Sequence, residues 1–179
     1  SDAQITRTTI GLFAAVATPY AFKFLWAPLV DGLRLPFLAA LGRRRSWLLL
    51  TQLLLACAVA LMSFSNPETN ATLTALAALL VASFSATQDI VIDAYRVERL
   101  PQAEQGTGAA MSTLGYRMGM LVSGAGALAL ADTLGWEETY LIMAIIVASS
   151  AVVTVLAREP VVNLPKKKSG AARAPLSAF

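Results

Sequence analysis

The chain has 179 residues, 56% hydrophobic and only 14% charged, with 14 Lys and Arg, 11 Asp and Glu, no His and one Cys. A soluble globular domain carries about 25% charged residues, so this composition, with a mean hydropathy of +0.63, excludes an ordinary soluble fold. A disulfide framework, a zinc site and Cys–His or Ser–His–Asp catalysis are excluded as well. Cys57 lies inside an apolar run and reads as a small packing residue. The formal net charge of +3 sits beside apolar stretches without interleaved aromatics, so nucleic acid is not an expected partner.

A membrane-crossing helix needs about 20 mostly apolar residues, and successive stretches of the chain meet that length. The first, 10–30, contains Pro19 and Pro28, which predict a kinked or broken helix, and it carries Lys23. The Lys23 stem reaches either the bundle interior or, by snorkelling, the inner interface. A basic loop, 31–46, follows with Arg34, Arg43, Arg44 and Arg45. The second span, 47–64, is uncharged, and loop 65–72 holds a single acid, Glu68. The third span, 73–94, carries Asp89 and Asp93, and connection 95–106 opens with Arg96 and Arg99. The fourth, 107–131, carries Arg117 and many glycines, among them Gly115 and Gly119 in GYRMG, a spacing suited to close helix contact. Turn 132–138 is acidic, and the fifth span, 139–157, is again uncharged. Residues 160–179, with Lys166, Lys167 and Lys168, read as a flexible cytoplasmic linker whose lysines set orientation or touch anionic headgroups.

Lys and Arg mark cytoplasmic loops. The basic segments 31–46, 95–106 and the tail are therefore placed inside, and 65–72 and 132–138 outside. That puts the start of the chain on the periplasmic side. One further helix is expected ahead of Ser1, which would complete six spans with both ends in the cytoplasm. No basic region precedes the first apolar stretch, so no signal peptide is read there.

Ionisable groups inside lipid are expensive unless they face protein or water. The uncharged second and fifth spans are expected to face lipid, and the charged spans a polar interior. Asp89 lies about 24 Å down a hydrocarbon core of about 30 Å. Asp93 is at the inner boundary, with Arg96 beyond it as an interfacial anchor. These three positions, at i, i+4 and i+7, share one helix face, which Ala82 and Ser85 extend upward. Arg117 lies about 15 Å deep, at the midplane, where it marks either a substrate path or an ion pair with a carboxylate such as Asp89. Arg117 and Lys23 would offer positive charge to an anion in low dielectric. Tyr116, next to Arg117, and Gln88, next to Asp89, join them as candidate substrate-binding residues. Asp89 and Asp93 are the proton-coupling candidates, because burial raises a carboxylate toward neutral titration.

The loop WAPLVDG followed by LGRRRSW resembles the signature between two helices of the major facilitator superfamily. The resemblance implies that Asp31, Gly42, Arg43, Arg44 and Arg45, with Arg96, form a gating loop that locks two transporter halves. More widely, FKFLWAPLVD, LGRRRSWLLLTQ, ATQDIVIDAYRVE, LGYRMG with VSGAGALALAD, and LGWEETYLIMA resemble the muropeptide permeases, the AmpG family, from about residue 10 to residue 157. That resemblance implies a proton-coupled, inner-membrane importer of anhydro-muropeptides in peptidoglycan recycling. It also implies a first helix and a C-terminal helical half outside this chain. Where the family carries Asp-Arg this chain has Asp31–Gly32, so Arg34 is the expected partner of Asp31. A basic residue expected near Thr133 is also missing.

The reading is an all-α polytopic membrane bundle, five transmembrane helices of a six-helix major facilitator half, with no metal, no cofactor and no catalytic residue. Its partners are an anionic small molecule, protons, the bilayer and the rest of the transporter. Acetyl-coenzyme A or a sugar phosphate is the alternative cargo, and a non-transporting membrane sensor or scaffold the alternative class. An intramembrane enzyme using Asp89 and Asp93 lacks a partner acid on a second helix.

Overall fold

A computed structural model describes residue 11, residues 15–65, residue 67 and residues 69–160. The linker 160–179 lies outside them apart from its first residue, as does part of the first predicted span. Among the described residues there is no strand, and the architecture is a helical membrane bundle. Four helices among the described residues are long and apolar enough to cross a bilayer: Arg43–Ser63, Ala71–Arg99, Gln102–Leu134 and Trp136–Leu156.

The first segment is broken. Helix α1 (Thr18–Phe22) gives way to a 3-10 link (Lys23–Leu25) and then to α2 (Ala27–Gly32), with a proline in the first turn of each helix. Proline is tolerated there because first-turn N–H groups have no intrahelical partner. Each α-helix thus restarts at its own proline, and Lys23 falls in the link. After Gly32 the chain turns extended at Leu33 and enters α3 (Arg43–Ser63) through Gly42, whose φ of +93° suits glycine.

Helix α4 (Ala71–Arg99) is capped by Asn70, whose side chain accepts from the Leu73 amide at 3.0 Å. It ends at Leu100, extended as the residue before a proline should be. At 29 residues it is about 43 Å long, so its last turns leave a core of about 30 Å. Helix α5 (Gln105–Leu121) passes through a π-helical turn, Val122–Gly126, into α6 (Ala127–Leu134). Helix α7 (Trp136–Leu156) starts after Gly135 at φ +92°. Helices α3 and α7 are alike: each has 21 residues and follows a left-handed glycine.

Helix α3 packs between α4 and α7. Small residues are buried on these helices, Ala56 and Ala58 on α3, Ala77, Ala82 and Ala86 on α4 and Ala144 on α7, and small side chains let membrane helices approach closely. Buried Thr154 donates to Gln52 across α3 and α7 at 3.0 Å. Near the start of α3, Val30, Leu48 and Val91 form a core with Trp26, Trp47, Ile90 and Tyr95 around it. The expectation that uncharged spans lie outermost is corrected for α3, which is the most buried of the four, whereas the helix with Arg117 has no buried window. A neutral helix can still carry an interior face if that face is small and polar, as Thr51, Gln52 and Ala56 are. Cys57 is corrected too: it is exposed on α3 and packs no interior.

Candidate functional site

The broken first segment lies against α4, and polar side chains meet along that seam. The Tyr20 hydroxyl and Ser85 Oγ are 2.6 Å apart. Trp26 Nε1 donates to Thr87 Oγ1 at 3.2 Å. Between them Lys23 Nζ stands 4.0 Å from Asp89 Oδ2, each side chain 37% exposed. The ammonium is also 6.0 Å from the Tyr20 ring centroid, at the limit of a cation–π contact.

One turn further along α4, Asp93 accepts from Arg96 Nη2 at 3.2 Å. Asp89, Asp93 and Arg96 line a cavity of about 510 Å³ with Ser112, Thr113 and Tyr116 of α5. Among the described residues, two buried side-chain atoms have no hydrogen-bond partner, Gln88 Oε1 and Arg96 Nε. The structure therefore brings Asp89, Asp93, Arg96 and Tyr116 to one cleft, with Lys23 beside Asp89. Arg117 is not among the residues lining it. It is exposed on α5 and forms no ion pair among the described residues. Of the two readings of Arg117, the ion pair with Asp89 is therefore not formed: Arg117 lies about 100° round α5 from Tyr116, and the cation beside Asp89 is Lys23.

The residues expected to form a gating loop, Arg34 and Arg96 apart, gather where α2, α3, α4 and α7 meet. Arg44, 4% exposed, donates to both Glu98 oxygens at 2.9 and 2.5 Å and to Asp31 Oδ1 at 2.6 Å. Arg43 donates to Glu98 at 2.9 Å and to the Asp31 carbonyl at 2.8 Å. Arg45 turns to the end of α7, donating to the Thr154 carbonyl at 3.0 Å and to that of Val155. Glu159 accepts from the Arg44 and Arg45 amides at 2.8 and 3.0 Å, capping α3 where the helix dipole favours an anion. A Cβ on Gly42 would collide with the Glu159 side chain.

Arg34 does not pair with Asp31; Arg44 does. The extended turn at Leu33 carries Arg34 away, while the start of α3 returns Arg44 to the end of α2. Arg96 is also outside this cluster and belongs to the cleft. Glu98 and Glu159 have no role in the sequence reading, although a run of consecutive arginines needs counter-ions and Glu98 is one of the few acids in the basic loops.

A transmembrane helical bundle with a broken helix at a charged cleft and a cluster of paired arginines at one end describes a membrane transporter class. A profile of the Major Facilitator Superfamily matches residues 1–179, and the chain belongs to that superfamily. It is 49% identical over 179 residues to the anhydromuropeptide permease of Escherichia coli K12, covering 98% of this chain and 36% of that protein. It is 39% identical over 162 residues to the putative transporter AmpG 4 of Rickettsia conorii, 88% of this chain and 39% of that one. An uncharacterized protein of Haemophilus influenzae is 41% identical over 165 residues, 92% of this chain and 38% of its own. The chain thus spans under two fifths of the length of these relatives. It is a multi-pass membrane segment of the superfamily.

Proposed function

We propose that this chain is most of the N-terminal half of a secondary transporter that imports anhydro-muropeptides with protons across the bacterial inner membrane. Its N-terminal end lies on the periplasmic side and its tail, 160–179, in the cytoplasm. The observation that carries this reading is an ion pair, Lys23–Asp89, at membrane depth between a broken helix and α4, in a chain 49% identical to a permease of that substrate. Transporters place substrate at discontinuous helices near the midplane, and ionisable groups held there serve the cargo or the coupling ion.

In this reading Lys23, Tyr116 and Gln88 meet the substrate from this half, and Asp89 and Asp93 carry protons. Arg117 joins them from the exposed face of α5. A midplane Arg facing lipid is expensive, so its partners belong to the substrate, the first helix or the C-terminal half of the transporter. Asp31, Arg43, Arg44 and Arg45, around Gly42, lock the cytoplasmic side. The part spanned by this chain does not transport by itself, because the cavity needs both halves.

The test is uptake of labelled GlcNAc-anhydro-MurNAc-tripeptide into proteoliposomes holding the full-length transporter under an imposed proton gradient. Lys23→Ala and Arg117→Ala, inserted normally, should each abolish accumulation. Unimpaired gradient-driven uptake by both Asp89→Asn and Asp93→Asn would refute the coupling assignment.

A further inference from the structure

We infer that Lys23 is shared between the proton and the substrate: its ammonium pairs with the Asp89 carboxylate in one state and with a carboxylate of the transported anion in the other. The inference rests on the transport reading above and goes beyond it by naming the acid that exchanges its partner and the group that replaces it.

The two acids of α4 are held differently. Asp93 is bonded at 3.2 Å by Arg96 of the same helix, so any rigid movement of α4 carries the pair along intact. Asp89 meets a cation from a separate element, the 3-10 link between α1 and α2. At 4.0 Å that contact lies beyond hydrogen-bond range, and both side chains are partly exposed. Lys23 can therefore leave Asp89 when the first segment shifts against α4, whereas Arg96 cannot leave Asp93 in that way.

The other groups around Asp89 do not compete for this role. From the first segment Tyr20 faces it, with its hydroxyl engaged by Ser85. On α4 itself Asp93 lies one turn on, with Arg96 held by it, and from α5 Tyr116 faces the same cavity. Of the two described cations beside these acids, Lys23 is thus the one not already bound to an acid of its own helix.

Charge balance then fixes the exchange. With Asp89 ionised, Lys23 and Asp89 form a neutral pair. When a proton adds to the Asp89 carboxylate, giving the carboxylic acid, the ammonium loses its counter-ion. A substrate carboxylate arriving at Lys23 restores neutrality. A low-dielectric site is spared an unpaired charge in both states, so protonation and substrate binding favour one another.

The experiment uses the purified full-length transporter in detergent with GlcNAc-anhydro-MurNAc-tripeptide. Affinity is followed against pH, and proton uptake on binding is read with an indicator in weakly buffered solution. The wild type should take up about one proton per substrate bound, and its affinity should fall about tenfold per pH unit above the titration of Asp89. Asp89→Asn should bind with an affinity independent of pH. Lys23→Gln should bind the tripeptide at least about tenfold more weakly at every pH, and should match the wild type for an analogue whose carboxylates are all amidated. Tripeptide binding without proton uptake by the wild type overturns the inference whether or not the variants fold. An Asp89→Asn protein that keeps the wild-type pH dependence does the same. A wild type that binds no muropeptide at any pH removes the transport reading, and this inference with it.

Discussion

Replacing Glu98 with Ala is the most informative perturbation of the charge cluster at the start of α3. Its carboxylate accepts from Arg43 Nη2 at 2.9 Å, Arg44 Nε at 2.9 Å and Arg44 Nη2 at 2.5 Å. Arg44 is almost wholly buried, so without Glu98 it keeps Asp31 as its one acidic partner and its Nε loses its acceptor. Removing one partner of a buried pair costs about 3–5 kcal/mol, whereas an exposed pair is worth about 0–1 kcal/mol. The Glu98 side chain is 19% exposed and that of Asp31 51%. Glu98→Ala should therefore cost about 2–4 kcal/mol, and Asp31→Ala about 1 kcal/mol or less. Glu98→Gln, which retains an acceptor oxygen, should fall between them. Thermal unfolding of the purified protein in one detergent, followed by tryptophan fluorescence, ranks the variants. Asp31→Ala costing as much as Glu98→Ala, or Arg34→Ala costing more than either, would refute the assignment of Arg44 as the hub.

Gly42→Ala forces a non-glycine residue to φ +93°, ψ 169° and against Glu159; it should destabilise by about 1–3 kcal/mol, read as a lowered unfolding temperature. Thr154→Val removes the α3–α7 hydrogen bond to Gln52. Such bonds within membranes average about 0.6 kcal/mol, so the same assay should register a small loss, and one of several kcal/mol would contradict the packing described. Cys57→Ala, at an exposed site on α3, should stay within about 0.5 kcal/mol of the parent and provide a cysteine-free background for labelling.

What the sequence made legible was whatever depends on neighbours along the chain. Pro19 and Pro28 announced a broken first helix, because a proline cannot continue the helix behind it. The spacing of Asp89, Asp93 and Arg96 put them on one face, and all three line one cavity. What stayed hidden depends on how one helix is rotated against another. Arg117 and Asp89 sit at compatible depths, but depth does not set azimuth, and the partner of Asp89 came from the opposite side in Lys23. Proximity in sequence also misled at Asp31. Arg34 is three residues away yet diverges with the extended Leu33, while Arg44 returns through the start of α3. Glu159 was illegible for a related reason: its role comes from the end of α7 lying beside the first turn of α3. The absence of charge in α3 signalled lipid exposure only because hydropathy does not weigh small residues, and Ala56 and Ala58 are buried there.

The central claim is that the full-length protein moves an anhydro-muropeptide with protons through the Lys23–Asp89 cleft. Its most direct test is a competition in energised proteoliposomes, with labelled GlcNAc-anhydro-MurNAc-tripeptide as cargo and unlabelled muropeptide, acetyl-coenzyme A or a sugar phosphate as competitor. The account predicts accumulation that collapses when the proton gradient is discharged and that only the muropeptide suppresses. Uptake indifferent to the gradient, or suppressed as well by acetyl-coenzyme A or the sugar phosphate, would contradict it.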